Sequence, residues 1–349
     1  MVKLSILDYA QIDEGRTAYE AIQDSVKLAQ AADKLGYTRF WVAEHHDVPA
    51  FASSSPEVLM MHLADQTQAI RIGSGGVMLP HYSPLKIAEN FRLLEAAHPG
   101  RIDLGMGNSL GTSQVNAALN ENKQKVQSYR QSLLDLNHYL GSRPQADFRY
   151  PDLTARPLVS DLPEMFLLST SVRNAKLAGE LGIGYCYGMF PYASGDKLAV
   201  GSEAFRVYRD HFQASKAMPE PRGMFALFAA IGPTQEEAED LAQAIDLWML
   251  AKDDFAYYSS FPSVETAKTY QASPSEGQRI VDNRSRIVVG TPETIKDQLE
   301  VYRQAFQADE ILLCTIMPSI EARIQAITIL AEAYQLEGRH YDSNLSSPI

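Results

Sequence analysis

The sequence predicts an α/β fold, a single (β/α)8 TIM barrel, because short strand-like runs alternate with helical stretches along most of the chain. Strict alternation of strands and helices implies a parallel sheet. Eight such units suit a closed barrel better than a doubly wound sheet, and 349 residues suffice for one barrel with insertions. The strand-like runs lie at 3–9, 38–46, 69–79, 101–107, 164–170, 183–190, 222–232 and 309–317.

Helices are predicted between these runs from apolar spacing and from capping residues. The first helix carries apolar residues at three- and four-residue spacing, and Gly36 follows it at a favoured C-cap position. The next two begin at Ser55-Pro56 and Ser83-Pro84, where a capping hydroxyl precedes a proline. The later helices are predicted at 174–181, 201–216, 234–252, 291–306 and 319–337.

Two stretches are longer than the repeat requires. Residues 108–163 follow the fourth strand, and residues 254–285, rich in polar and aromatic side chains, follow the seventh. Long excursions of this kind usually carry lids or binding loops. We therefore predict one domain over residues 1–349, with both insertions at one end of the barrel.

Composition and charge favour a globular protein that binds neither nucleic acid nor anionic membranes. A hydrophobic content of 45% supports a large core, and a net charge of −12 argues against nucleic acid and anionic membranes as partners. Because no apolar run approaches the roughly 20 residues of a membrane span, and no cleavage-type signal is present, we expect a soluble cytoplasmic protein. Cys186 and Cys314 lie in apolar runs and are interpreted as buried, reduced thiols.

The segment AEHHDVPAF places two histidines beside a glutamate at the end of the second strand-like run. Neighbours on a strand point to opposite faces, and no second cluster has metal-ligand spacing, so no metal site is predicted. A neutral histidine at a strand end suits proton transfer near pH 7. We therefore assign His45 to catalysis or substrate contact and His46 to a structural role.

Two further segments suggest contact with a ligand. Gly75 and Gly76 interrupt an apolar strand, which indicates either a bulge or a backbone lying against a planar ligand. The run Ser169-Thr170-Ser171 precedes a helix whose first-turn N–H groups can attract a phosphate. The alternative is that these hydroxyls cap the helix without any ligand.

The glycine-rich segment LGMGNSLGTS, residues 104–113, is not a dinucleotide loop. Its third glycine is one place too late for the G-x-G-x-x-G pattern, and no G-K-[ST] follows it. We interpret it as a strand that ends at a ligand site.

Together these features resemble the bacterial-luciferase-like flavin-dependent monooxygenases. The matching segments are FWVAEHH, IGSGGVMLPHYSPLKIAENFRLLEAAHPGRIDLGMG, STSVRNAKLAGELG and VGTPETIKDQLEVY, and they span nearly the whole chain. The resemblance implies a (β/α)8 barrel that binds reduced FMN, supplied by a separate flavin reductase. It further implies O2 as a co-substrate, oxygenation of a small apolar organic molecule such as an aldehyde, and a homodimer.

The resemblance also implies roles for individual residues. His45 matches the family's active-site histidine, which acts as a base or hydrogen-bond donor. The Gly75-Gly76 pair matches the cis peptide that backs the isoalloxazine ring. The implied cofactor-binding residues are Gly75, Gly76, Asn108, Ser169, Thr170, Ser171 and Asn174.

Three features depart from the family pattern. Asn174 stands where relatives have a small hydroxyl residue, the sixth strand ends in CYGMFPY where close relatives often have histidines, and the third departure is at position 108. Many relatives have an arginine that pairs with the FMN phosphate where this chain has Asn108, and Arg173 or Arg130 are candidate replacements. Two other interpretations therefore stay open. One is a reductase of the same superfamily that uses F420 or NAD(P)H, and the other is a barrel that binds flavin or another ligand without turnover.

Overall fold

Eight parallel strands close into a barrel in the computed structural model, which describes residues 2–121, 128–141, 147–191, 193–250 and 257–341. The first strand pairs with the second and with the last, and the sixth pairs with the seventh, so the ring has no gap. The predicted TIM barrel is therefore confirmed. The barrel strands are β1 (Lys3–Asp8), β2 (Arg39–Val42), β3 (Arg71–Met78), β4 (Ile102–Gly107), β5 (Glu164–Ser169), β6 (Gly184–Gly188), β7 (Gly223–Ile231) and β9 (Glu310–Cys314).

A further strand, β8 (Ile287–Gly290), lies outside the ring and was not predicted from the sequence. It pairs in parallel with residues 228–231 at the end of β7. The β7 strand is nine residues long and is buried along its whole length. Because β9 pairs with β7 only as far as Phe228, the last residues of β7 are left for β8 to cover.

Twelve α-helices surround the strands in the described residues, and none of them is long and apolar enough to cross a membrane. Most follow the predicted order between strands, and four lie in the segments that lengthen the repeat. The helices are α1 (Ala18–Lys34), α2 (Pro56–Asp65), α3 (Pro84–Ala97), α4 (Ser113–Asn120), α5 (Tyr129–Leu140), α6 (Val172–Leu181), α7 (Lys197–Asp210), α8 (Gln235–Met249), α9 (Val264–Thr269), α10 (Pro274–Arg284), α11 (Pro292–Phe306) and α12 (Ile320–Ala333).

The bounds of α7 differ most from the sequence prediction. The helix begins at Lys197 because the Asp196 carboxylate caps it, accepting a 2.7 Å hydrogen bond from the Ala199 N–H. The helix was predicted to begin at Gly201, but this residue lies within the first two turns of α7. A Cβ atom there would come within 2.4 Å of the Phe306 ring. The glycine therefore permits close packing of α7 on α11.

A buried cluster of charges fills the barrel near the strand N-termini. The Arg39 guanidinium, 2% exposed, contacts Asp103 at 2.8 Å, Glu164 at 3.1 Å and Glu310 at 2.9 Å. These three carboxylates raise the pKa of Arg39 although burial opposes its charge. In TIM barrels the strand N-termini form the stability face and the C-termini the functional face. The cluster therefore serves the fold and lies at the end opposite the site described next.

Candidate active site

A cavity of about 730 Å³ opens at the C-terminal ends of the barrel strands. Its walls come from β-strand ends, from the loops that follow them and from the end of α8. All eight residues that the sequence singled out line it, namely His45, Gly75, Gly76, Asn108, Ser169, Thr170, Ser171 and Asn174. Residues far apart in sequence thus meet in one place, as the barrel architecture requires.

Gly75 and Gly76 form a flat part of the cavity wall. The peptide bond between them is cis, and the β3–β4 register shifts between Ser74 and Val77, so the predicted bulge is also present. A Cβ atom on Gly76 would lie 2.9 Å from the Gly105 carbonyl group, which excludes a side chain at this position. The two backbones approach closely here, and the exposed side of the pair faces the cavity.

His45 lies between two aromatic rings at the cavity wall. Its ring centroid is 4.6 Å from that of Tyr9 and 5.1 Å from that of Phe51. Its backbone N–H donates to the Ser53 carbonyl at 2.9 Å, which fixes the loop. Burial, aided by the charge of His46, lowers the pKa of His45 to about 4, so the imidazole is neutral at pH 7. Within the described residues its buried Nδ1 atom has no hydrogen-bond partner.

The face assignment of the two histidines, based on strand alternation, is wrong. The β2 strand ends at Val42, and Asp47 has a positive φ of 57°, so the chain turns before alternation can separate His45 from His46. Both histidines line the cavity. His46 Nε2 also lies 2.8 Å from Glu44 Oε1, which agrees with its predicted structural role.

Glu44 and Tyr82 form a polar network that sequence reasoning missed. The Tyr82 hydroxyl donates to Glu44 Oε1 at 2.5 Å, and the Met78 N–H donates to Oε2 at 2.8 Å. Glu44 is only 6% exposed, so these donors satisfy a buried carboxylate. The network joins the loop after β2 to the turn after β3. The only signal in the sequence was the position of Glu44 next to the histidine pair.

The start of α6 has the geometry of an anion site. The Ser171 hydroxyl accepts from the Asn174 N–H at 3.4 Å, and Ser169 Oγ accepts from Asn174 Nδ2 at 3.0 Å. Ser171 therefore caps the helix, and Ser169 binds the side chain of the first-turn residue Asn174. Within the described chain, the backbone N–H groups of Val172 and Arg173 in this first turn donate no hydrogen bond. They can donate to a ligand in the cavity.

The structure separates the two candidate cations. Arg173 is exposed and lines the cavity at the second residue of α6. Arg130 instead pairs with Glu180 at 3.1 Å, and neither of these two residues is among the described lining residues. Asn108 lies just beyond β4 at the cavity wall and is exposed.

An aromatic wall bounds the part of the cavity around His45. The Phe51 ring packs on Tyr9 at 4.9 Å and on Trp248 at 5.1 Å, and the Phe190 ring packs on Phe228 at 5.3 Å. The sequence did not single out Trp248 or Phe228. Nothing in the local pattern of α8 or β7 distinguishes an inward ring at the cavity from one in the core.

Cys186 also lines the cavity, and Cys314 is buried in the last barrel strand. Both are free thiols, as predicted. Burial raises the pKa of each thiol, so both stay protonated at pH 7. Among the described residues no group of three or more histidine, cysteine, aspartate or glutamate side chains could hold a metal ion.

The chain is similar to one protein family and to several bacterial proteins over most of its length. The sequence model of the family described as luciferase-like monooxygenase matches residues 2–308. The uncharacterized protein YwcH of Bacillus subtilis (strain 168) is 42% identical over 336 residues, covering 96% of this chain and 99% of YwcH. The N-acetyl-S-alkylcysteine monooxygenase of the same organism is 36% identical, covering 95% of this chain and 98% of that protein.

Among solved structures, the crystal structure of apo-MsnO8 has the same architecture. The TM-score is 0.84 at 32% sequence identity, and the alignment covers 97% of this chain and 99% of MsnO8. The similarity therefore extends over the whole barrel, including the strand ends that form the cavity.

Proposed function

This chain belongs to the luciferase-like monooxygenases, and on that premise we propose that it is an FMN-dependent monooxygenase that acts on a small apolar substrate. The observation that carries the proposal is the composition of one cavity. The cavity combines a side-chain-free backbone wall, an anion-binding helix start and a buried neutral histidine.

The cavity residues fit a flavin. The Gly75-Gly76 pair lines the cavity without any side chain, so the isoalloxazine ring can lie against bare backbone there. A Cβ on Gly107 would meet no atom within 4 Å, so this part of the wall leaves room for the ribityl chain. Ser169, Ser171 and the first-turn N–H groups of α6 suit the phosphate. A volume of about 730 Å³ is in the range of ligand sites.

When bound, reduced FMN would supply the two electrons with which one oxygen atom of O2 becomes water while the other enters the substrate. The protein positions the reactants and controls protons. The neutral His45 imidazole can hold a proton or accept one at Nδ1, the atom that has no partner among the described residues. The surrounding rings of Tyr9 and Phe51 exclude water from this atom.

The aromatic wall favours an uncharged organic substrate. Rings such as Phe51, Phe228 and Trp248 provide dispersion contacts and no counter-charge. An aldehyde is one candidate. A thioether is another, because the relative of 36% identity is named for N-acetyl-S-alkylcysteines. We further propose that a separate flavin reductase delivers the reduced FMN in the cytoplasm and that the protein acts as a homodimer.

Turnover with reduced FMN tests this function. Photoreduced FMN, O2 and either a long-chain aldehyde or an N-acetyl-S-alkylcysteine are mixed with the protein, and mass spectrometry measures the gain of one oxygen atom. His45→Ala should suppress product formation by about a hundredfold while FMN affinity changes less than threefold. The variant His62→Ala serves as the control, because His62 is exposed on α2 and is not among the described lining residues.

Parallel assays separate the other interpretations. Hydride transfer from reduced F420 or NAD(P)H, without oxygen incorporation, would identify a reductase instead. Flavin binding with no product from either substrate class, and no change in O2 consumption, would favour a barrel that binds flavin without turnover.

A further inference from the structure

We propose that Arg173 is the cation that binds the FMN phosphate in this protein, in place of the arginine that many relatives have at position 108. The inference rests on the proposed function, because it concerns how this chain would hold FMN.

Arg173 is the only lysine or arginine among the described residues that line the cavity. It occupies the second position of α6, where the first-turn N–H groups and the helix dipole already favour an anion. Its side chain is exposed and has no ion-pair partner within the described chain. Asn174, the next residue, is 3% exposed and also lines the cavity. The guanidinium of Arg173, which has no ion-pair partner within the described chain, thus lies next to the buried Asn174 in the cavity wall.

The other nearby cations already have an acidic partner, the carboxylate of Glu180. Arg130 contacts Glu180 at 3.1 Å, and Lys176, one turn further along α6, contacts the same carboxylate at 3.7 Å. Neither is among the described lining residues. Arg173 is therefore the charge that a phosphate in the cavity can reach.

The sheet register explains why a change at position 108 can be compensated on α6. Met106 of β4 pairs with Leu167 of β5, so continuing the parallel register places Asn108 beside Ser169. Ser169 Oγ in turn bonds to the side chain of Asn174 at 3.0 Å. An arginine at position 108 and the observed Arg173 would thus approach one phosphate from two neighbouring loops.

Two properties follow from an exposed cation in a protein with a net charge of −12. Binding should depend on the phosphate, so FMN should bind more tightly than riboflavin. Binding should also weaken with ionic strength, because exposed charge pairs are screened by salt.

The test compares FMN and riboflavin binding by isothermal titration calorimetry at low and high NaCl. The variants are Arg173→Gln and, as the matched control on the same helix, Lys176→Gln. We expect Arg173→Gln to weaken FMN binding about tenfold at low salt, to abolish most of its salt dependence and to leave riboflavin binding unchanged. Lys176→Gln should change FMN binding less than twofold.

A rescue variant makes the test more stringent. Asn108→Arg in the Arg173→Gln background should restore most of the lost FMN affinity, whereas it should add little to the wild-type protein. Arg173→Lys should retain part of the affinity, because the charge is kept and the planar fork is lost.

The outcomes separate this inference from the proposed function. If wild-type protein binds FMN but Arg173→Gln has no effect, or weakens FMN and riboflavin equally, the inference is wrong and the flavin site stands. If the wild-type protein binds neither flavin, the proposed function itself is wrong.

Discussion

Tyr82 and Glu44 are joined by a 2.5 Å hydrogen bond from the phenol to the buried carboxylate at the edge of the candidate active site. Burial, together with the hydrogen bond to Glu44, raises the pKa of Tyr82, so the phenol stays protonated and remains a donor. Because Glu44 also accepts the Met78 N–H, this bond links the loops after β2 and β3. The first loop carries His45, and the second follows directly on the strand that contains the glycine pair.

Tyr82→Phe should lower the free energy of unfolding by about 1–2 kcal/mol, since it removes a hydrogen bond to a charged, buried group. Urea denaturation measures the change. Tyr270→Phe is the matched control, because its hydroxyl donates at 2.8 Å to Glu276 in a hydrogen bond at the protein surface. A loss below roughly 0.5 kcal/mol is expected there. Equal losses in the two variants would contradict the account of Glu44.

His45 should make stability depend on pH. The folded-state pKa of about 4 lies below the ordinary value of 6.5, so the unfolded chain binds more protons between these two values. The contribution of His45 is therefore complete above pH 6.5 and is lost as the pH falls toward 4. The loss is on the order of 3 kcal/mol. The pH dependence of the free energy of unfolding between pH 4 and 6.5, measured by urea denaturation, should therefore weaken in His45→Gln. It should persist in the exposed control His62→Gln. A pH dependence unchanged by His45→Gln would contradict burial of the imidazole.

Gly76→Ala should damage both the fold and the flavin site. Its Cβ would lie 2.9 Å from the carbonyl and the next nitrogen of β4, so the backbone must move. We expect a loss of about 2–3 kcal/mol and weaker FMN binding. Gly107→Ala is the control for stability, because its Cβ meets nothing within 4 Å. If thermal melting shows the same midpoint for both variants, the close approach of β3 to β4 is not as described.

Arg39→Met should be the most destabilising of these substitutions, by about 3–5 kcal/mol. It leaves Asp103, Glu164 and Glu310 near one another without their shared cation. At temperatures where the variant is folded, its FMN affinity should match the wild type, because the cluster lies at the opposite end of the barrel. Weakened binding by the folded variant would mean that the two ends are coupled.

The sequence was sufficient to predict the barrel and the cavity wall for a physical reason. Each barrel strand is a short apolar run bounded by a helix start, and parallel strands bring their C-terminal residues to one end. His45, Gly75 and Ser171 could therefore be expected near one another without knowledge of any contact. The strand β8 could not be predicted because it is only four residues long. It pairs with the last residues of β7, which extend beyond the part of β7 that pairs with β9.

The sequence could not reveal features that depend on side-chain contacts across the fold. The bond between Tyr82 and Glu44 joins residues 38 positions apart. The choice between Arg173 and Arg130 depended on Glu180, which pairs with Arg130 and leaves Arg173 at the cavity. Trp248 faces the cavity because of the way α8 packs on the barrel. No local pattern in the amino-acid sequence indicates this position.

The central claim is that this cavity binds FMN, and the most direct measurement is a titration of the purified protein followed by quenching of flavin fluorescence. We predict saturable quenching, with one FMN bound per chain and a dissociation constant in the micromolar range. An absence of quenching up to about 1 mM FMN would contradict the claim, because it would mean a binding free energy weaker than about −4 kcal/mol.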